Sequence, residues 1–238
     1  MSPLTILNPK GGAPLVLTCE HASHFVPVEY DELGLDAEQL ADHIGWDIGA
    51  REVTQALAKH FDATAVLAGV SRLVIDCNRD LTDHDLIVQE SHGTRIPGNA
   101  LVDEDERSRR IREFYDPYHD AIDSVLERRD EPLLLSIHSF TPSLNGRERR
   151  FDIGVLFDTC PGEADEVATI LAGEGLRVRQ NEPYSALDGL IFSARTHGLK
   201  FGLRYLELEI NNLLLREPAQ TARIVAAVAR AVVPHVTR

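Results

Sequence analysis

Residues 14–24 have the sequence Pro-Leu-Val-Leu-Thr-Cys-Glu-His-Ala-Ser-His, in which a short apolar run leads directly into polar groups. The apolar run is typical of a buried strand. In open α/β sheets, ligands bind beyond the carboxyl ends of the strands. Glu20 and His21, delivered to that edge, are therefore candidates for metal binding or for acid–base chemistry.

The composition narrows the class of protein. A formal net charge of −14 argues against a nucleic-acid partner or an anionic membrane surface. The three cysteines have no paired spacing, which argues against a disulfide framework and a Cys-rich zinc site. The sequence shows neither a signal-peptide pattern nor an apolar run of about 18 residues, and no linker-like stretch divides it. We therefore expect a single domain, residues 1–238, in a cytoplasmic enzyme, and the sequence leaves the oligomeric state open.

Apolar, strand-like runs alternate with helical patterns along the chain. This alternation predicts a three-layer α/β/α sandwich with a mixed, mostly parallel sheet. Residues 82–99 contain few apolar side chains and are predicted to form an active-site loop. Pro117 should break or kink the long charged helix that is predicted at 104–129, at a point near Tyr115. The strand-like runs are 14–19, 63–68, 70–79, 132–142, 151–157, 176–179 and 202–210, and the helical patterns are 37–43, 50–60, 104–129, 164–173 and 218–233.

Two further predicted strands carry polar groups near their carboxyl ends, His138 on one and Glu209 on the other. Catalytic zinc sites commonly use two histidines and one carboxylate, with the fourth position left for water. His21 and His138 are the candidate imidazole ligands, the third ligand is Asp47 or Glu20, and Glu209 is the candidate general base. The alternative is that these histidines make only structural hydrogen bonds, because the spacing matches no compact metal motif.

A second group of candidates lies in residues 71–79, Ser-Arg-Leu-Val-Ile-Asp-Cys-Asn-Arg. Arginine presents a planar fork that matches a carboxylate, and asparagine adds a neutral donor. Arg72, Asn78 and Arg79 therefore indicate recognition of an acidic small molecule. The alternative is that the two arginines pair with acidic residues at the surface.

Eight motifs, in order and over nearly the whole chain, resemble the N-formylglutamate amidohydrolase family. The resemblance implies the phosphorylase/hydrolase-like fold of zinc carboxypeptidases and aspartoacylases, and one bound metal ion, Zn²⁺. The motifs are Cys-Glu-His-Ala-Ser at 19–23, Gly-Trp-Asp-Ile-Gly-Ala at 45–50, Val-Ser-Arg-Leu-Val-Ile-Asp-Cys-Asn-Arg at 70–79, Ile-Pro-Gly-Asn at 96–99, Pro-Tyr-His at 117–119, Ile-His-Ser-Phe-Thr-Pro at 137–142, Asn-Glu-Pro-Tyr at 181–184 and Leu-Glu-Leu-Glu-Ile-Asn at 206–211.

The resemblance also implies roles for individual residues. His21, His138 and Asp47 match the ligand positions, Glu209 matches the general base, and Asn78 with Arg79 matches a pair that grips a substrate carboxylate. The implied activity is metal-dependent hydrolysis of the amide bond of N-formylglutamate or a related N-acyl acidic amino acid. The alternatives are a zinc peptidase or deacylase acting on N-acyl peptides, and an inactive relative that binds small acids.

Overall fold

The computed structural model describes residues 2–144, 146–185 and 190–236. In this part of the chain, seven strands form one sheet: β1 Leu4–Leu7, β2 Leu15–Cys19, β3 Thr64–Ala68, β6 Leu133–Phe140, β9 Ile153–Leu156, β10 Val178–Gln180 and β11 Tyr205–Asn211. Their order in the sheet is β1-β3-β2-β6-β11-β9-β10. The β1–β3 and β9–β11 pairs are antiparallel, and the other neighbours are parallel. Two short hairpins pair β4 Glu90–Ser91 with β5 Thr94–Arg95 and β7 Ser143–Leu144 with β8 Arg147–Glu148.

Helices cover both faces of the sheet and confirm the predicted three-layer α/β/α sandwich. Leu15 and Leu17 belong to the core on one face and Val16 to the core on the other, as strand alternation requires. The helices are α1 Ala37–Ala41, α2 Ala50–Phe61, α3 Glu104–Arg110, α4 Asp116–Leu126, α5 Pro161–Gly173, α6 Phe192–Phe201 and α7 Pro218–Val236. The first face packs against α2, α5 and α7, and the second against α4 and α6.

Local sequence signals explain two helix boundaries. Asp36 caps α1, because its carboxylate accepts from the Gln39 backbone N–H while the Gln39 side chain accepts from the Asp36 backbone, a reciprocal capping box. The predicted kink near Tyr115 is present as a π-helical turn, Ile111–Tyr115, between α3 and α4. Pro117 lies in the first turn of α4, where a residue without a backbone N–H is tolerated.

The predicted strand over residues 70–79 is wrong, because this segment is a buried series of turns. Its apolar side chains belong to the core on the second face of the sheet, so the segment has the same run of apolar residues as a buried strand. Its carbonyl groups accept from backbone turns within the segment and from side chains instead of a neighbouring strand. Asn99 donates to the Leu73 carbonyl at 2.8 Å, and Arg110 donates to the Val74 carbonyl at 2.9 Å.

Other predicted bounds need smaller corrections. The predicted loop 82–99 contains the β4–β5 hairpin and a short 3-10 turn, Pro97–Asn99. Neither β1 nor α6 is predicted from the sequence. The strand lies at the sheet edge with partly exposed residues, and the helix has no clear apolar stripe. None of the helices in the described ranges is long and apolar enough to cross a membrane.

Candidate metal centre and active site

His21 lies two residues beyond the end of β2, where the chain leaves the centre of the sheet. Its side chain is buried, and its Nε2 is 2.7 Å from Asp76 Oδ1. Burial alone would raise the pKa of the Asp76 carboxyl, but Arg72 and His21 hold that pKa well below its usual range. Asp76 is therefore a carboxylate that fixes the orientation of the His21 ring. The other ring nitrogen, Nδ1, lies 3.2 Å from the Arg72 guanidinium and 3.4 Å from Asp47 Oδ2.

His138 lies within β6, beside the strand that leads to His21. The two imidazole ring centroids are 4.8 Å apart. His138 Nδ1 is 2.8 Å from Asp47 Oδ2, and its Nε2 is 2.9 Å from Glu20 Oε2. In each histidine, Nε2 faces a buried carboxylate, that of Asp76 for His21 and that of Glu20 for His138. The other ring nitrogen, Nδ1, faces Asp47 Oδ2 in both cases.

Asp47 is held by a tight turn immediately before α2. Its backbone N–H donates to the His21 carbonyl at 3.0 Å, and its Oδ2 accepts from the Ser139 N–H at 3.2 Å. Gly49 makes the turn possible, because it adopts a φ of 85° and a Cβ there would lie 2.4 Å from the Leu215 side chain. The sequence Gly-Trp-Asp-Ile-Gly therefore delivers one carboxylate to the space between the two imidazoles.

His21, Asp47 and His138 offer ligand atoms that all lie within 4.8 Å of one another. Glu20, the alternative ligand, lies on the far nitrogen of His138, where it also accepts from Ser136 Oγ at 2.6 Å and from the Tyr118 hydroxyl at 3.0 Å. The geometry thus brings Asp47, not Glu20, between the imidazoles. Two histidines and one carboxylate, with a carboxylate behind each ring, are a donor set that fits a divalent metal such as zinc.

The charges around His138 also fit a cation. Burial alone would lower the pKa of His138, but the surrounding carboxylates, Glu207 first among them, raise it well above its usual value. This part of the site therefore stabilises positive charge strongly, and a divalent metal would meet the same surroundings.

Two carboxylates of β11, Glu207 and Glu209, lie on the same face of the sheet as His138. Both are buried, and each has one oxygen, Oε2, without a hydrogen-bond partner in the described structure. Burial raises the pKa of Glu207 to about 7 and that of Glu209 well above its usual value. Sequence reasoning identified Glu209 and missed Glu207. Their i, i+2 spacing in Leu-Glu-Leu-Glu-Ile was the available signal.

Arg72, Asn78 and Arg79 all line the same cavity as the imidazoles. The Arg72 guanidinium is bound to Asp76 at 2.7 Å. The Asn78 side-chain oxygen accepts from the Ser193 N–H at 2.9 Å, which fixes the orientation of its amide. The nearest carboxylate oxygen of Asp83 is 3.9 Å from Arg79, so this arginine is only loosely paired.

The cavity has a volume of about 280 Å³ and opens between the carboxyl ends of the central strands and the loop 82–99. Every predicted site residue except Glu20 lines it. Sequence reasoning missed the histidines of its rim, His43 and His92, whose facing nitrogens are 3.1 Å apart. It also gave no role to Tyr184, which lines the cavity at its other side.

Comparisons with known proteins identify the family and the fold of the chain. The family model described as N-formylglutamate amidohydrolase matches residues 13–216. The crystal structure of gene product Atu2144 from Agrobacterium tumefaciens is 35% identical, with a TM-score of 0.95 over 98% of this chain and 94% of that chain. The crystal structure of N-formylglutamate amidohydrolase from Ralstonia eutropha JMP134 is 21% identical, with a TM-score of 0.71 over 99% of this chain and 98% of that chain, and so shares the fold. A search of curated proteins found no match.

Proposed function

The chain belongs to the N-formylglutamate amidohydrolase family, and we propose that it hydrolyses the amide bond of N-formylglutamate or of a related N-acyl acidic amino acid. The observation that carries this proposal is the convergence of His21, Asp47 and His138 beside the buried carboxylate of Glu209. The cavity of about 280 Å³ supports a small ligand over a long peptide. Residues 1–238 would act as one such domain, and the cytoplasmic location stays a prediction.

His21, Asp47 and His138 would hold one divalent metal ion, for which zinc suits the donor set. When bound, the metal supplies Lewis acidity, which polarises an amide carbonyl and makes a water molecule more acidic. Asp76 and Glu20 would keep the two imidazoles in the tautomer and orientation that binding requires.

Glu209 would move the protons of the reaction. Its Oε2 has no partner in the described structure, so it is available to accept a proton from the attacking water. The water oxygen then bonds to the acyl carbon, the carbon–nitrogen bond breaks, and Glu209 returns the proton to the amine nitrogen. Arg72 would donate to the oxygen that becomes negative during the attack.

Asn78 and Arg79 would hold a carboxylate of the substrate. The Asn78 amide is oriented through its oxygen by Ser193, which leaves its N–H groups for a ligand. Arg79 is loosely paired and partly exposed, so it can exchange its distant contact with Asp83 for a substrate carboxylate.

The test combines metal analysis with an assay of formate release from N-formyl-L-glutamate. We expect about one divalent ion per chain, loss of turnover on chelation, and recovery when zinc is restored. Full turnover in metal-free protein would refute the metal centre. Binding of N-formylglutamate by the metal-loaded protein without formate release would favour the inactive acid-binding alternative, and faster cleavage of N-acyl dipeptides would favour the peptidase alternative.

A further inference from the structure

A substrate with two carboxylates needs two cationic groups, and the residues assigned so far supply only one that is largely free. Arg79 is loosely paired, but the Arg72 guanidinium is bound to Asp76 at 2.7 Å and lies 3.6 Å from Asp47. The charge of Arg72 is therefore largely balanced by buried aspartates. Recognition of a second carboxylate calls for another cation at the edge of the same cavity.

Arg149 occupies such a place. It directly follows the β7–β8 hairpin, and its backbone N–H donates to the Pro142 carbonyl at 2.8 Å, which closes the base of that hairpin. Its guanidinium carbon lies 5.7 Å from the centroid of the Phe140 ring and 5.1 Å from that of the Tyr184 ring. Both rings line the catalytic cavity, and Arg149 lines a neighbouring cavity that shares Leu144 with it, so the guanidinium lies against the two rings beside the catalytic cavity.

The position of Phe140 relates this cation to the reaction centre. Phe140 and His138 are two residues apart on β6 and therefore project from the same face of the strand. Two residues of strand span about 6.5 Å. The ring that contacts the guanidinium is therefore the next side chain along this face of β6 from a proposed metal ligand.

The charge of Arg149 is not balanced locally. In the described ranges no carboxylate forms an ion pair with it, whereas its neighbour Arg150 is 2.7 Å from Glu148. The field of Arg149 also reaches the cavity. Burial and Glu209 raise the pKa of Tyr184 while Arg149 opposes that rise, and Arg149 adds to the burial that lowers the pKa of His92 on the rim.

We propose that Arg149 binds the second carboxylate of the substrate and so selects N-acyl amino acids that carry an acidic side chain. The inference rests on the proposed function, because it takes the first carboxylate to be held by Asn78 and Arg79. It adds a determinant of specificity that lies outside the family motifs recognised in the sequence.

Binding measurements can test this separately from turnover. Zinc-loaded full-length protein carrying Glu209→Gln is titrated by calorimetry with N-formyl-L-glutamate and with its uncharged-side-chain analogue N-formyl-L-glutamine. We expect the first ligand to bind about 10-fold or more tightly, the gain of one charge-assisted contact. Adding Arg149→Met, which keeps an apolar stem over the two rings, should reduce this ratio to about 1, and Arg149→Lys should restore part of it.

The control is Arg150→Met, which removes the adjacent, already paired arginine and should leave the ratio unchanged. A ratio that survives Arg149→Met in folded protein overturns the proposal, and so does the absence of binding by either ligand. If the ratio behaves as expected but the protein with an intact Glu209 releases no formate, the anion site stands and the proposed hydrolysis fails.

Discussion

The arrangement around His138 predicts different consequences for the two carboxylates that contact it. Asp47 faces one ring nitrogen at 2.8 Å and Glu20 faces the other at 2.9 Å. We expect Asp47→Asn to remove a metal ligand and Glu20→Gln to weaken only the support of the ring. Both substitutions preserve the size of the side chain and remove one negative charge.

The magnitude for Glu20→Gln follows from its contacts. Glu20 Oε2 accepts from His138 and from Ser136, and the glutamine amide can keep only part of this pattern, because one of its two polar atoms is a donor. Loss of one hydrogen bond to a buried charged group costs about 1.5–3 kcal/mol. This corresponds to roughly a 10- to 150-fold weaker metal affinity, in the range usual for a group behind a histidine ligand.

The assay is competition for zinc between the protein and a chromophoric chelator of known affinity, at constant pH. Asp47→Asn should bind zinc at least about 10-fold more weakly than Glu20→Gln, because it removes a direct ligand. Glu90→Gln, at the exposed rim of the same cavity, is the control for an ordinary loss of charge. Equal losses for Glu20→Gln and Asp47→Asn would refute the assignment of Glu20 to the outer position.

Two further predictions concern proton transfer and stability. Glu209→Gln should lower kcat for N-formylglutamate by about 10²–10⁴-fold while leaving zinc content unchanged, because it removes the proposed base, and near-normal turnover with bound zinc would exclude that role. Burial alone would raise the pKa of Asp152, but its hydrogen bonds with Arg177 lower it. The pair should therefore stabilise the fold fully above the usual aspartate pKa and lose that contribution as the pH falls through the lowered value. Urea unfolding between pH 6 and pH 3 should show a weaker pH dependence for Asp152→Asn than for the unaltered protein, and identical slopes would contradict the reasoning.

Much of the fold could be predicted because its five inner strands, β2, β3, β6, β9 and β11, are fully buried and rich in apolar side chains. Helical patterns between such strands favour a parallel sheet. His21 and His138 were expected to meet at the rim of one sheet, and β2, which leads to His21, pairs directly with β6, which carries His138. The residues alone left Asp47 and Glu20 as alternatives for the third ligand, and the family resemblance favoured Asp47.

The environment of each ligand could not be predicted in the same way. Asp47 and Glu20 are both acidic residues that belong to the motifs of the site. Only the side-chain geometry shows that Asp47 lies between the two imidazoles and that Glu20 lies on the far side of His138. Glu207 was missed because two neighbouring buried carboxylates are unfavourable unless a cation balances their charge. The sequence pattern does not show whether such a cation is present.

The buried turns of residues 70–79 predict that binding of the proposed metal and binding of the proposed substrate are coupled. Asp76 accepts from the Asn78 N–H at 2.8 Å through the same oxygen that contacts His21, and its other oxygen is bound to Arg72. One carboxylate thus fixes a proposed metal ligand, a cation of the cavity and the turn that carries the proposed carboxylate-binding pair. A regular strand would alternate these side chains between the two faces of the sheet. The irregular backbone, stabilised by Asn99 and Arg110 from outside the segment, brings them to one side.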